Sequence, residues 1–159
     1  MGLPLGKKLW IAGLLFFLVA TPGLYFFRKE TYALNKTVRL VSLRIFEYEE
    51  LSRHRVFRYK IEFQRDYYKV YLLIPSPEKR WKEIVMIRYE DAVETSMSGF
   101  ALEIDRGNIV SYDWPAGGRI LRPSIVLRFF PAKNSSKQSG ILFYKNGTWR
   151  ALKRCYGAA

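Results

Sequence analysis

The side chains that could begin covalent or acid–base chemistry are few and scattered. His54 is the sole histidine and stands between Arg53 and Arg55. Neither residue directly beside it is a serine or cysteine, so the expected role is a helix end or plain surface. Cys155 is the sole cysteine. One thiol makes neither an internal disulfide nor a zinc site, which needs several ligands at set spacing. A free thiol is the expectation, with an intermolecular disulfide as the alternative. Asp91 and Glu94 fall in a polar stretch, and Glu47, Glu49 and Glu50 on a helical one. Dispersed carboxylates of this kind read as solvated. There is no Walker A loop, no GxSxG elbow and no dinucleotide glycine fingerprint. The expectation is a non-enzyme: no catalytic residue, metal, cofactor or small-molecule substrate. Asn35-Lys-Thr, Asn134-Ser-Ser and Asn146-Gly-Thr match the short glycosylation pattern and keep a secretory-pathway protein in view.

Charge is the stronger signal. The chain of 159 residues carries a formal net charge of +13. Nine of its 27 basic residues and none of its 14 acidic ones lie beyond Asp113. Such one-sidedness suggests an anionic partner, whether nucleic acid, lipid headgroups or an acidic protein, against the plainer reading of a solvated basic surface.

Before any head domain comes a tether. Residues 9–27 form an uncharged run of 19, bracketed by Lys7-Lys8 and Arg28-Lys29. At about 1.5 Å per residue this length spans the hydrocarbon core of a bilayer. Trp10 and Tyr25 suit its two interfaces, and Pro22 is tolerated in a span. A cleaved secretory signal is the alternative, but a cut after Ala20 would leave Leu18 where a small residue belongs. The order expected is a short N-terminal segment over 1–8, a transmembrane helix over 9–27, an amphipathic extension over 28–54 and a β-rich head over 55–159.

The extension shows helical spacing. Leu34, Val38, Val41, Ile45 and Tyr48 recur in alternating steps of four and three. The stripe is short, which favours packing on the chain's own head over a coiled-coil seam. After it the period becomes two. Phe57, Tyr59, Ile61 and Phe63 alternate with charged residues across 56–64, and Tyr68, Val70, Leu72 and Ile74 do so after a polar connection. Further strands are expected over 100–104, 109–112, 124–130, 141–144 and 148–152. Turns are expected at Asp105-Arg-Gly-Asn108 and Lys145-Asn-Gly147, and loops over 75–81 and 114–123. The fold class is α+β: one long N-terminal helix packed on an antiparallel β-rich head.

Several stretches resemble the GspH/FimT group of pseudopilins and minor type IV pilins. Pro22 lies late in the span, as in that family. The passage Glu50-Leu-Ser-Arg-His-Arg-Val-Phe-Arg-Tyr-Lys-Ile-Glu-Phe63 is similar to its helix-to-strand junction. Tyr68-Lys-Val-Tyr followed by Trp81 resembles its second strand, and Phe130-Pro-Ala-Lys-Asn-Ser-Ser-Lys-Gln-Ser-Gly-Ile-Leu resembles its final segment. The departure is at the start. The family's leader ends in Gly, then Phe-Thr, with Glu at the fifth mature position. Here Gly6 precedes Lys7-Lys8, and the fifth position is Ile11.

The resemblance implies a non-enzymatic subunit of a type II secretion or type IV pilus filament. Its partners would be other pilin-like subunits, with membrane lipid around residues 9–27. The head would lie outside the cytoplasmic membrane. Gly6 becomes the candidate leader-cleavage residue, with methylation of the new terminus, and loss of the fifth-position glutamate fits a subunit at a filament tip. Minor pilins of DNA uptake contact DNA through a basic C-terminal stretch, which makes Lys145, Arg150, Lys153 and Arg154 candidate DNA-binding residues. The alternative is a membrane-anchored basic binding module of another family, acting on nucleic acid, anionic lipid or an acidic protein.

Overall fold

The computed structural model describes residues 5–75, 77–114 and 124–156, with side chains over 28–75, 77–114 and 124–152. Helix α1 runs Leu5–Arg55. Among the described residues nine strands follow: β1 Tyr59–Phe63, β2 Tyr67–Ile74, β3 Arg80–Arg88, β4 Val93–Thr95, β5 Phe100–Asp105, β6 Asn108–Asp113, β7 Ser124–Pro131, β8 Lys137–Tyr144 and β9 Trp149–Tyr156. The contacts divide into two units, residues 1–32 and residues 33–159, so the second holds the later turns of α1 with all the strands. Among the described residues no helix is long and apolar enough to cross a membrane. The span expected over 9–27 falls outside the residues whose side chains are described.

Within the second unit α1 behaves as its spacing predicts. Leu34, Val38, Val41, Ile45 and Tyr48 are all buried. The helix ends on Arg53, His54 and Arg55, cations that suit the negative end of its dipole. Val56 then takes φ = 57°, a left-handed helix stop normally given to glycine.

Every pairing among the described strands is antiparallel. One sheet has the order β3-β2-β1-β5-β6, the other β4-β7-β8-β9. β1 sits at the centre of the first, with Ile61 opposite Val70 on one side and Leu102 on the other. The expected hairpin face holds at its centre, where Tyr59, Ile61, Phe63, Tyr68 and Val70 are buried, but Leu72 and Ile74 are only half-buried and Phe57, ahead of β1, is exposed. Phe63, Phe100, Tyr112 and Phe143 join the two sheets through ring contacts 5.8–6.1 Å apart. Arg106 and Gly107 both have positive φ, the conformation of a two-residue type I′ turn. That turn docks on the helix, where the Gly107 amide donates to Ser52 Oγ at 2.9 Å. A Cβ on Gly107 would stand 2.7 Å from Arg53 Nε.

Two strands depart from expectation. The loop expected over 75–81 ends early, because β3 begins at Arg80 and includes Trp81. Across Ile84–Ile87 burial alternates, with Val85 and Ile87 half-buried and Ile84 and Met86 exposed, so apolar side chains on both faces hid the period in the sequence. Ile84 is also a bulge residue, extra between the pairs Tyr71–Glu83 and Val70–Val85. β4 is three residues long. Its Val93 and Thr95 are buried, and the Thr95 hydroxyl donates to the Arg128 carbonyl at 2.6 Å. Most of the loop expected over 114–123 lies outside the described residues.

Candidate interaction surfaces

The helix that supplies the core stripe carries a second apolar row on its other side. Leu40, Leu43 and Phe46 follow in steps of three, and they are 43%, 57% and 56% exposed. At 100° per residue Leu43 points almost directly away from the core stripe. The row is flanked by charge: Arg44 pairs with Glu47 at 2.9 Å, and Arg53 with Glu50 at 2.7 Å. His54 is exposed and lies 3.5 Å from Glu50, the surface role expected of it. Just beyond, Val56 is 74% exposed and Phe57 also faces solvent. A β-branched residue at positive φ is strained, and here no buried contact of the valine compensates.

The candidate DNA-binding residues occupy the β8–β9 hairpin. Lys145 sits in its turn and Arg150 on β9, both exposed. Asn146 Oδ1 accepts from the Thr148 amide at 3.1 Å and its hydroxyl at 2.6 Å, closing the turn. A Cβ on Gly147 would lie 2.5 Å from the Ile109 carbonyl oxygen, so only glycine fits there. Lys153 and Arg154 belong to β9 by backbone, while their side chains lie outside the described set. Unbroken strand alternation would set Arg150, Leu152 and Arg154 on one face and Trp149, Ala151 and Lys153 on the other. The register overturns it: Leu152 opposes Gly140 and Cys155 opposes Gln138, leaving Lys153 and Arg154 together against Ser139. This bulge breaks the period beyond Leu152.

Glu49 is the residue that sequence reasoning misplaced. It is half-buried, and its carboxylate accepts the Trp149 indole N–H across the helix–β9 contact. Burial pushes its pKa up, opposed by the Trp149 hydrogen bond. The Tyr112 hydroxyl is pushed up to about 12, by burial first and by the nearby Glu49 charge second. The signal was present in principle, since an indole N–H leaving water needs an acceptor. Spacing did not say which carboxylate would supply it.

Other candidates gather into no site. Asp91 is exposed, and Glu94 is ion-paired with Arg65 at 3.1 Å. Among the described residues no group of histidine, cysteine, aspartate and glutamate could hold a metal ion. Of the glycosylation patterns, the first has its Thr37 buried, accepting from the Glu90 amide at 3.3 Å. Asn134 and Asn146 lie on exposed turns. Gly6 and the Cys155 thiol lie outside the residues whose side chains are described.

No protein-family model matches the chain, and no characterised protein is similar to it in sequence. A solved structure does match in shape: the minor pseudopilin EpsH from the Type 2 Secretion System of Vibrio cholerae. The TM-score is 0.53 at 10% sequence identity, over 75% of this chain and 95% of that one. At such low identity the likeness concerns the fold. The chain has an α+β, pseudopilin-like fold, with one helix and antiparallel sheets among the described residues.

Proposed function

We propose that this chain is a non-enzymatic, pilin-like subunit of a secretion or pilus filament, and a minor rather than a bulk component. The observation that carries the reading is the outward row Leu40, Leu43 and Phe46, on a helix whose opposite face the head already uses. Isolated exposed apolar residues need no explanation, but an aligned row on one element marks a contact surface. In this reading the row packs on helices of neighbouring pilin-like chains. Residues 9–27 hold the subunit in the cytoplasmic membrane, with the head outside the cytoplasm. The pseudopilin-like fold supports it. Ile11 in place of the family's glutamate favours a terminal position in the filament.

Gentle detergent extraction followed by affinity capture of the full chain tests this. Other pilin-like chains should copurify, and L43D/F46D should release them while the head melts as before. Recovery of the wild-type chain alone would count against the filament. It would favour the second reading, a membrane-anchored basic module, which the acid-free stretch after Asp113 supports.

A further inference from the structure

The two sheets present four outer edges, and they are not equally closed. β4 is three residues long, too short to template a partner strand. β6 is abutted by the β8–β9 turn, where Gly147 lies against Ile109 and the Tyr112 hydroxyl donates to the Tyr144 carbonyl at 2.8 Å. β3 is long but carries charges of both signs: Glu83, paired with Lys69 at 3.3 Å, stands among Arg80, Lys82 and Arg88, the last paired with Asp66 at 3.4 Å, so an acidic strand there would also meet an acid. β9 differs from all three. It has eight residues, ends its sheet and pairs with β8 alone among the described strands. It bears Arg150, Lys153 and Arg154 with no acidic residue, and Lys145 precedes it in the turn.

Backbone geometry says which groups stay open. The hairpin closes with the Tyr144 amide donating to the Thr148 carbonyl at 2.8 Å. Antiparallel alternation then aims the amide and carbonyl of Arg150 at Leu142, and those of Trp149 and Ala151 away from β8. Ala151 is exposed and small, so an incoming backbone can approach. Unpaired edge groups are a template for strand addition. A second copy of β9 would set cations against cations, whereas an acidic strand gains backbone hydrogen bonds and cross-strand ion pairs together. The bulge at Lys153 and Arg154 restricts regular pairing to the first half of the strand.

We propose that the open edge of β9 accepts an extended acidic segment of a partner protein by strand addition. The outward amides of Trp149 and Ala151 set its register. Arg150 and Lys145 select its charge. This holds independently of the filament reading. It also separates from DNA binding, because phosphates would read the cations and ignore the amides.

Detergent-solubilised full chain, titrated into a labelled eight-residue peptide of alternating Glu and Thr, supplies the test. Fluorescence anisotropy should report binding that a Lys/Thr peptide lacks. The same acidic peptide N-methylated at every internal residue keeps its charge, loses its donors and should bind at least about tenfold more weakly. A151P should weaken binding of the parent peptide about as much. Proline is tolerated at an edge position whose N–H faces outward, and a melt checks that the variant folds. Should it not fold, the peptide pair decides alone. Methylated and parent peptides binding within a factor of two would overturn the proposal. So would duplex DNA that displaces the peptide and binds A151P as tightly as wild type.

Discussion

Leu34, Val38, Val41, Ile45 and Tyr48 on one side of α1, and Leu40, Leu43 and Phe46 on the other, are drawn from similar residues in a similar helical rhythm. The first row is sealed under the sheets, and the second faces solvent. Hydrophobicity alone therefore did not decide which face became core. The inward row wins because its neighbours on the flank also find partners: Ser52 meets the Gly107 amide, Thr37 the Glu90 amide and Glu49 the Trp149 indole. The outward row is bordered by Arg44–Glu47 and Arg53–Glu50, pairs that sit comfortably in water. One face is specified by packing with polar anchoring, and the other is left available.

The contrast breaks most sharply under charge. I45D buries an unpaired carboxylate among fully covered side chains and should cost at least about 4 kcal/mol, read as loss of a cooperative melt. The anchor comes next. W149F keeps the ring and removes the donor, leaving Glu49 half-buried without it, and should lower stability by about 1–3 kcal/mol in denaturant titration. V56G relieves positive-φ strain at the helix stop and should raise stability by about 1 kcal/mol despite the added chain entropy.

A pH series sharpens the anchor further. Because the folded-state pKa of Glu49 is raised by burial, the folded protein holds that proton more tightly than the unfolded chain. Its contribution should therefore fall as pH climbs from the ordinary carboxylate range through the raised value. E49Q keeps an acceptor for the indole and should flatten that slope, as chemical unfolding at several pH values would reveal. The smallest effect belongs to the outward row. L43D should change head stability by no more than about 0.5 kcal/mol. A large loss there would mean that both faces are structural and would remove the basis of the assembly reading.

Where one face was buried and the period unbroken, spacing carried the reading. The α1 stripe and the β1–β2 face emerged from it directly, as did the turn at Arg106-Gly107. It failed where exposed apolar residues hid the period, at Ile84 and Met86 in β3, and where a bulge broke it, at Lys153-Arg154 in β9, because two-residue alternation is the sole local sign of a strand face. β4 offers too few residues to show any period. The surfaces were legible in kind but not in place. The cations of the C-terminus stood out by composition, yet only the register showed a free strand edge beside them. Glu49 looked like its neighbours Glu47 and Glu50 until a residue from the far end of the chain came to meet it.

The hydrogen bond from Trp149 to Glu49 closes a span of 100 positions, and that has a consequence for biosynthesis. Glu49 leaves the ribosome first and waits for its donor while the intervening chain is made, about 5–20 s at roughly 5–20 residues per second. Throughout that interval the helix can begin to gather β1, β2 and β5, but its lower flank holds a carboxylate that favours water over the closing core. Only a chain translated as far as β9 removes the conflict. A product truncated before Trp149 keeps it, which leaves the helix end loosely held and open to proteolysis. The contact thus couples stable closure of the head around the helix end to synthesis of β9.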